Sequence, residues 1–187
     1  MTITTSLRGQ LLVASPTLED PNFRRAVVFV LDHNDDGAVG VILNRPSDTP
    51  LVEVLPDWGD VVALPDVAFM GGPVSPQAAI CLGRVRRARR AAVSGPQPVE
   101  GVAIVDLERN VNDVESDVDE LRVFAGYAGW DTAQLEFEMG LAAWFVVPAE
   151  VGDVLTTQPD RLWRDVLRRQ RGDLRMLATF PDDPSLN

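Results

Sequence analysis

The stretch RAVVFVLDHNDDGAVGVILN, residues 25 to 44, contains two apolar runs separated by a short polar segment. The runs RAVVFVLDH (25 to 33) and AVGVILN (38 to 44) are rich in β-branched and aliphatic residues and have the length of strands. Between them, Asp36-Gly37 suits a tight turn that requires a positive φ angle. The stretch therefore predicts a β-hairpin.

Similar short runs lie on both sides of this hairpin. We predict strands at 9 to 15, 78 to 83, 101 to 107, 121 to 129 and 143 to 148. Patterns typical of helices occur at 48 to 56, 132 to 142 and 158 to 170. Because helices and strands do not alternate regularly, the order of elements favours a mixed α+β fold over a doubly wound parallel sheet.

The length and composition are those of one globular domain. With 187 residues and 45% apolar content, the chain can bury a substantial core, and no composition shift marks a second domain. We predict a single domain over residues 1 to 187, with a loose polar tail at 179 to 187. No run of about 18 apolar residues and no basic leader is present, so we expect a cytoplasmic protein that does not enter a membrane.

The residue types that are missing restrict the chemistry. All 17 basic residues are arginine, so a lysine-dependent P-loop and Schiff-base catalysis are excluded. One cysteine, Cys81, and one histidine, His33, cannot build a multi-thiolate or multi-histidine metal site within one chain. A net charge of −11 disfavours direct DNA binding. We assign no cofactor, no metal site and no catalytic residue.

An arginine cluster interrupts this acidic chain. The segment RVRRARR, Arg84 to Arg90, holds five arginines in seven residues and could grip RNA phosphates. No aromatic residue is interleaved for base stacking. A solvated loop, or an internal partner for the acidic segment 106 to 120, is therefore favoured over an RNA-associated factor.

The stretch YAGWDTAQLEFEMG, residues 127 to 140, carries candidate site residues. Asp131 and Gln134 form the pattern of a capping box at the start of a helix. Glu136 and Glu138 would point to different sides of that helix, so they cannot act as one acid and base pair. Glu136 has Gly140 one turn later, and its carboxylate needs a partner such as an arginine, a loop amide or a ligand. Structural pairing is favoured, and an enzyme that uses Glu136 with an arginine on a polar or phosphorylated metabolite is the alternative.

A glycine pair supplies a further candidate. In GGPVS, residues 71 to 75, the glycines permit unusual dihedral angles and close approach, so backbone amides could face an anion or a planar ligand. A simple turn between two strands explains the same pattern. Both interpretations stay open at the level of sequence.

Several blocks together resemble a known family. The blocks LLVASPTLEDPNFRRAVVFVLDHNDDGAVGVILNRP, FMGGPV and GYAGWDTAQLEFE, followed by a later tryptophan, are similar to successive blocks of the YqgE/AlgH family of bacterial proteins. The resemblance runs from Gly9 to about Leu167. It implies an α+β fold with a mixed, bifurcated sheet that curls into a pseudo-barrel with flanking helices. It implies little about activity, although the AlgH name came from a proposed role in regulating alginate synthesis.

These observations predict a non-enzymatic binding or regulatory protein that acts on a protein or small-molecule partner, with transcriptional effects exerted indirectly. The oligomeric state stays open. The candidate surface combines a strand end, the glycine turn and the start of a helix: Asn44, Arg45, Gly71, Gly72, Pro73, Trp130, Gln134 and Glu136.

Overall fold

The computed structural model of the chain describes residues 6–89 and 97–181. Two of the predictions fall partly outside these ranges. The predicted loose tail is described only as far as Pro181, and the last residue of the arginine cluster, Arg90, lies outside the described residues.

Nine strands and six α-helices are present in the described part of the chain. The strands are β1 (Gln10–Ala14), β2 (Val27–Asn34), β3 (Gly37–Ile42), β4 (Pro46–Pro50), β5 (Val67–Met70), β6 (Val74–Val85), β7 (Val102–Val105), β8 (Val118–Asp131) and β9 (Trp144–Pro148). The helices are α1 (Leu51–Val54), α2 (Val111–Asp117), α3 (Gln134–Gly140), α4 (Val151–Val154), α5 (Pro159–Arg168) and α6 (Asp173–Leu177), with 3-10 turns at Pro56–Val61 and Arg87–Arg89. None of these helices is long and apolar enough to cross a membrane.

The strands form one mixed sheet that branches at β8. Its main path runs β4-β5-β8-β3-β2-β1-β9, and β6 joins β8 and carries β7 as a side branch. The β5–β8 pair is parallel and the other pairs are antiparallel. The predicted mixed, bifurcated sheet with flanking helices is confirmed. Among the described strands the path ends at β4 and β9, so the sheet does not close into a barrel.

Strand β8 belongs to both branches because it is long enough to change partners along its length. Phe124 pairs with Phe69 of β5 on one side and with Ile80 of β6 on the other. Further along, Trp130 pairs with Ala38 of β3. The 14 residues of β8 therefore connect the two parts of the sheet.

The predicted hairpin is formed by β2 and β3. Asn34 pairs with Gly37, which leaves two residues in the turn. Gly37 has a φ angle of 136°, and a Cβ atom at this position would lie 2.1 Å from the Trp130 carbonyl oxygen. Glycine is required here because β8 packs directly against the turn.

Both faces of the central strands are covered, which explains their nearly continuous apolar sequences. Alternate residues of β1 and β2, including Leu11 and Phe29, pack in one cluster with Trp163 and Val166 of α5. The intervening residues face a second cluster that contains Trp130, Leu135 and Trp144. A third cluster lies under α1, α2 and the 3-10 turn of residues 56–61.

Two local predictions were wrong. The segment 48 to 56 is only partly helical, because residues up to Pro50 form β4 and α1 contains four residues. Asp131 does not cap α3, since it is the last residue of β8. The residue before α3 is Ala133, with a φ angle of 59°. Gln134 instead accepts a hydrogen bond from the Asp131 backbone N–H at 3.0 Å, which ties the strand to the helix.

Candidate functional site

Neighbouring clefts lie around the loop of residues 16–25. The first, the arginine cleft, has a volume of about 350 Å³ and is lined by Arg24, Arg25, Asn44, Arg45, Asp160, Trp163 and Arg164. The second, the proline cleft, has a volume of about 320 Å³, and its walls include Pro21, Ile42, Arg45, Met70, Gly72, Pro73 and Pro76. Arg45 lines both clefts, and we refer to the two together as the furrow.

Asn44 fixes the backbone at the edge of the furrow. Its side-chain oxygen accepts a hydrogen bond from the Val27 N–H at 2.9 Å, and its amide nitrogen donates to the Arg25 carbonyl oxygen at 2.9 Å. Between these contacts Arg25 adopts a φ angle of 54°, which a non-glycine residue rarely takes. Asn44 therefore holds the end of the loop in a strained conformation that places Arg25 in the arginine cleft.

Arg45 is held by backbone acceptors. Its guanidinium donates to the carbonyl oxygen of Asn44 at 3.2 Å and to that of Arg24. The Arg45 backbone oxygen in turn accepts from the Met70 N–H at 2.7 Å, which connects this residue to β5. Burial lowers the pKa of Arg45, because removal from water disfavours the charged form. Arg45 is thus a partly desolvated cation whose position is determined by the main chain.

Two more arginines of the cleft are anchored by α5 and the C-terminal segment. The Arg25 guanidinium carbon lies 4.3 Å from the Trp163 ring centroid, a cation–π geometry. Arg25 also donates to the carbonyl oxygens of Phe180, at 3.2 Å, and Pro181. Arg164 donates to the Ala178 carbonyl oxygen at 2.6 Å. The cleft is therefore built from parts of the chain that are distant in sequence.

The glycine turn forms the wall of the proline cleft. Gly71 is hydrogen-bonded between the sheet branches, since its N–H donates to the Ala125 oxygen and its oxygen accepts from the Ile42 N–H, both at 2.8 Å. A Cβ atom on Gly72 would lie 2.1 Å from the Tyr127 carbonyl carbon. The glycine pair is thus needed for close packing on β8, and this packing brings Gly72 and Pro73 to the cleft.

Trp130 and Gln134 lie in a different environment next to α3, where Trp130 is buried in the second core cluster and Gln134 is exposed. Trp130 stacks with Phe23 at 6.1 Å and meets Trp144 edge-on at 5.7 Å between ring centroids. Both indole N–H groups donate to the same Glu138 oxygen, at 3.0 Å from Trp130 and 2.8 Å from Trp144. Gln134 donates to the other Glu138 oxygen at 2.9 Å.

Glu136 is paired with the only histidine of the chain. Its Oε1 lies 2.9 Å from His33 Nε2, while His33 Nδ1 accepts the Leu7 backbone N–H at 3.0 Å. Since Nδ1 is an acceptor, Nε2 carries the ring proton and donates a hydrogen bond to the Glu136 carboxylate. Both ring nitrogens are thus occupied by contacts within the fold. Structural pairing was favoured from the sequence, and the partner is a histidine, not the arginine, loop amide or ligand that the sequence suggested.

The eight predicted residues therefore separate into two groups. Asn44, Arg45, Gly72 and Pro73 line the furrow, and Gly71, the chain neighbour of Gly72, does not. The walls of these two clefts do not include Trp130, Gln134 or Glu136. Sequence reasoning missed three arginines and a tryptophan of the furrow: Arg24, Arg25, Arg164 and Trp163. The Arg24-Arg25 pair next to a strand was a visible signal, but its proximity to α5 depends on tertiary packing.

The arginine cluster is engaged with the acidic segment. Arg84 donates to Glu120 and Arg86 to Asp119, each at 2.8 Å. Asp117 accepts from Arg89 at 3.1 Å. The pKa of Asp117 is lowered, chiefly by a hydrogen bond from Arg109 and also by Arg89, against the opposing effect of burial. The internal-partner interpretation is confirmed for these residues, and it weakens the RNA alternative.

Within residues 6–89 and 97–181, no group of three or more His, Cys, Asp or Glu side chains could hold a metal ion. Burial raises the pKa of the Cys81 thiol, which is enclosed in the third core cluster. A buried thiol of this kind is protonated and behaves as a small apolar side chain.

Comparison with known families identifies the chain. A family model described as AlgH-like matches residues 11–175. The chain belongs to this AlgH-like family. The resemblance noted in the sequence blocks is thereby confirmed, and the residues that line the furrow lie within the matched range.

Relatives in the AlgH-like family extend over the whole chain. A UPF0301 protein of Streptomyces coelicolor is 50% identical over 190 residues, which cover 100% of this chain and 98% of the relative. A UPF0301 protein of Thermobifida fusca is 47% identical, with 97% and 96% of the two chains covered.

Two solved structures of the family share the fold. A crystal structure of a Corynebacterium diphtheriae protein matches with a TM-score of 0.87 and 32% identity, covering 92% of this chain and 91% of that one. The solution structure of the AlgH protein from Pseudomonas aeruginosa matches with a TM-score of 0.69 and 26% identity, covering 98% of each chain. These matches establish the family and the fold.

Proposed function

We propose that this AlgH-like chain is a non-enzymatic binding protein and that a small molecule binds in the furrow. The observation that carries this proposal is the meeting of two clefts at Arg45. Four of the residues singled out by sequence, Asn44, Arg45, Gly72 and Pro73, line those clefts.

The dimensions of the furrow support a small-molecule ligand. The two clefts have volumes of about 350 and 320 Å³. Together they lie within the range of roughly 300–1,000 Å³ that is typical of ligand pockets. Hydrogen bonds between the main chain and the side chains of Asn44 and Arg45 hold the walls in place. Little ordering of these side chains is therefore needed when a ligand binds.

The chemistry of the walls supports binding over catalysis. The groups that converge on the arginine cleft are mainly guanidiniums, which stay protonated at neutral pH and hold anions without exchanging protons. Glu136, the residue of the enzyme alternative, is bonded to His33 away from these walls. We infer that a regulatory role passes through the bound ligand, since a net charge of −11 opposes direct contact with DNA.

Ligand retention by the protein from its own host tests this proposal. The protein is purified gently from that host and analysed by native mass spectrometry, together with R45M and the matched control R86M. Arg86 belongs to the arginine cluster at residues 84 to 90, and its exposed side chain forms an ion pair with Asp119. We expect a stoichiometric small-molecule adduct on the wild type and R86M, and a bare chain for R45M. A bare wild-type chain, a protein adduct, or an adduct retained by folded R45M would contradict the proposal.

A further inference from the structure

The arginine cleft concentrates positive charge in an acidic protein. Four arginines, Arg24, Arg25, Arg45 and Arg164, line it together with one carboxylate, that of Asp160. The chain as a whole has a net charge of −11. Converging guanidiniums provide planar donor arrays that match carboxylate and phosphate oxygens, so the cleft has the composition of an anion site.

Arg45 is the residue best placed to meet a ligand anion. Within the described residues its guanidinium hydrogen bonds go to the carbonyl oxygens of Asn44 and Arg24, which carry no net charge. By contrast, arginines of the cluster at residues 84 to 90 donate to carboxylates, as Arg84 does to Glu120. A partly buried cation with neutral acceptors gains more from an incoming anion than one that already contacts a carboxylate.

The proline cleft continues the site with apolar surface. Pro73, Pro76 and Met70 contribute hydrocarbon groups to its walls, and Met70 is 51% exposed although its side chain is large and apolar. Methionine is unbranched and polarisable, so it adapts to the shape of an apolar ligand. Arg45 stands at the junction between this surface and the arginine cleft.

We propose that the ligand of the furrow is a small organic anion, with a phosphate or carboxylate head in the arginine cleft and an apolar body in the proline cleft. This inference rests on the proposed binding function and defines the chemical class of the ligand. The head is held by Arg45 with the neighbouring arginines, and the body packs on Met70 and the two prolines. The arginine cleft supplies most of the charged donors, and the proline cleft supplies most of the apolar surface.

Calorimetric titration with three matched probes tests the ligand class. The probes are hexyl phosphate, inorganic phosphate and hexanol, which supply both parts of the ligand, the head alone and the body alone. Hexyl phosphate should bind at least about tenfold more tightly than either fragment, because it combines charge-assisted hydrogen bonds with apolar burial. Hexanoate should show the same preference over acetate if the head site accepts carboxylates as well.

Variants separate the two halves of the site. R45M should weaken the binding of hexyl phosphate and of inorganic phosphate by about tenfold, because it removes a charged donor and leaves an unbranched apolar side chain. M70S should weaken only hexyl phosphate, by roughly threefold, through lost apolar contact. R86M should bind all probes as the wild type does. Far-ultraviolet circular dichroism and thermal melting verify that each variant is folded.

Three results would overturn the inference. The first is equal affinity for hexyl phosphate and inorganic phosphate, and the second is wild-type affinity in folded R45M. The third is cosedimentation with vesicles of phosphatidylcholine and phosphatidic acid at a level far above hexyl phosphate binding, since the ligand would then be a membrane surface. If a host small molecule is retained by the wild type and lost in R45M while both hexyl phosphate and hexanoate fail to bind, the ligand class is wrong and the binding function stands.

Discussion

The two groups of candidate residues differ in where their polar atoms find partners. Near α3, side-chain groups of Trp130, Gln134 and Glu136 are each hydrogen-bonded to another side chain of the chain, either Glu138 or His33. In the furrow, Asn44 and Arg45 bond to backbone atoms, and Arg45 also lines open space.

The partners of a polar side chain therefore help to distinguish a structural residue from a functional one. The Glu138 carboxylate accepts hydrogen bonds from two indole N–H groups, and it therefore contributes to the stability of the fold. A guanidinium that is oriented by carbonyl oxygens at the rim of a cleft still has a charge to offer. We therefore expect substitutions near α3 to change the free energy of unfolding, and substitutions in the furrow to change binding.

The largest loss of stability is expected for E138A. This change removes the acceptor of the Trp130 and Trp144 indole N–H groups, which lie in a buried aromatic cluster. We expect a decrease of about 3 kcal/mol in the free energy of unfolding, since each buried donor without a partner is costly. Urea denaturation measures it. E138Q keeps an acceptor oxygen and should lose about half as much; equal stability of E138A and wild type would remove the structural role from this region.

The second-largest loss of stability is expected for D117N, which tests whether arginines paired with a carboxylate stabilise the fold. D117N removes the charge that Arg89 and Arg109 contact and should cost about 2 kcal/mol at neutral pH. The pKa of Asp117 is lowered by these arginines, so its stabilisation is present above the ordinary value of 3.8 and is lost as the pH falls through the lowered value. The difference between wild type and D117N should therefore shrink between about pH 5 and pH 2 in urea titrations. A pH-independent difference would contradict this account.

A smaller effect is expected for E136Q. The amide oxygen of glutamine can still accept the His33 Nε2–H, so the free energy of unfolding should fall by about 1 kcal/mol or less. Binding of the host ligand, followed by native mass spectrometry, should not change. Loss of ligand or of a host phenotype in folded E136Q would place function in the α3 region and reverse the comparison.

An equally small change in stability is expected for R45M, together with the largest change in binding. Its hydrogen bonds go to two carbonyl oxygens at a partly exposed position, so we expect a loss within about 1 kcal/mol. Thermal melting and probe titration on the same samples measure both quantities. A melting temperature far below that of R86M would show that Arg45 acts mainly in the fold.

Sequence patterns predicted the hairpin, seven of the nine described strands and the mixed class of the fold, because apolar runs and turn residues act locally. The start of α3 was predicted less well. Asp131 and Gln134 have the residue types of a capping box, but pairing with Gly37 of β3 keeps Asp131 in β8. A tertiary contact therefore overrode a local preference.

The candidate site was only half visible from the sequence. The glycine pair was recognised because glycine permits unusual dihedral angles and close approach, and Asn44-Arg45 lies in a block that resembles the family. The contribution of Arg164 could not be found in this way, since it depends on the packing of α5 across β1 and β2. The pairing of His33 with Glu136 likewise requires β2 and α3 to meet in space.

The branching of the sheet at β8 has a consequence for how the molecule comes apart. Because β8 pairs with β3, β5 and β6, neither branch of the sheet can separate without breaking hydrogen bonds to β8. Amide protons in the middle of β8 should therefore exchange with deuterium only through opening of the whole chain, while those of the edge strands β4 and β9 escape by local fraying. The two arms of the sheet would unfold as one cooperative unit, and the furrow that spans them would vanish in the same step.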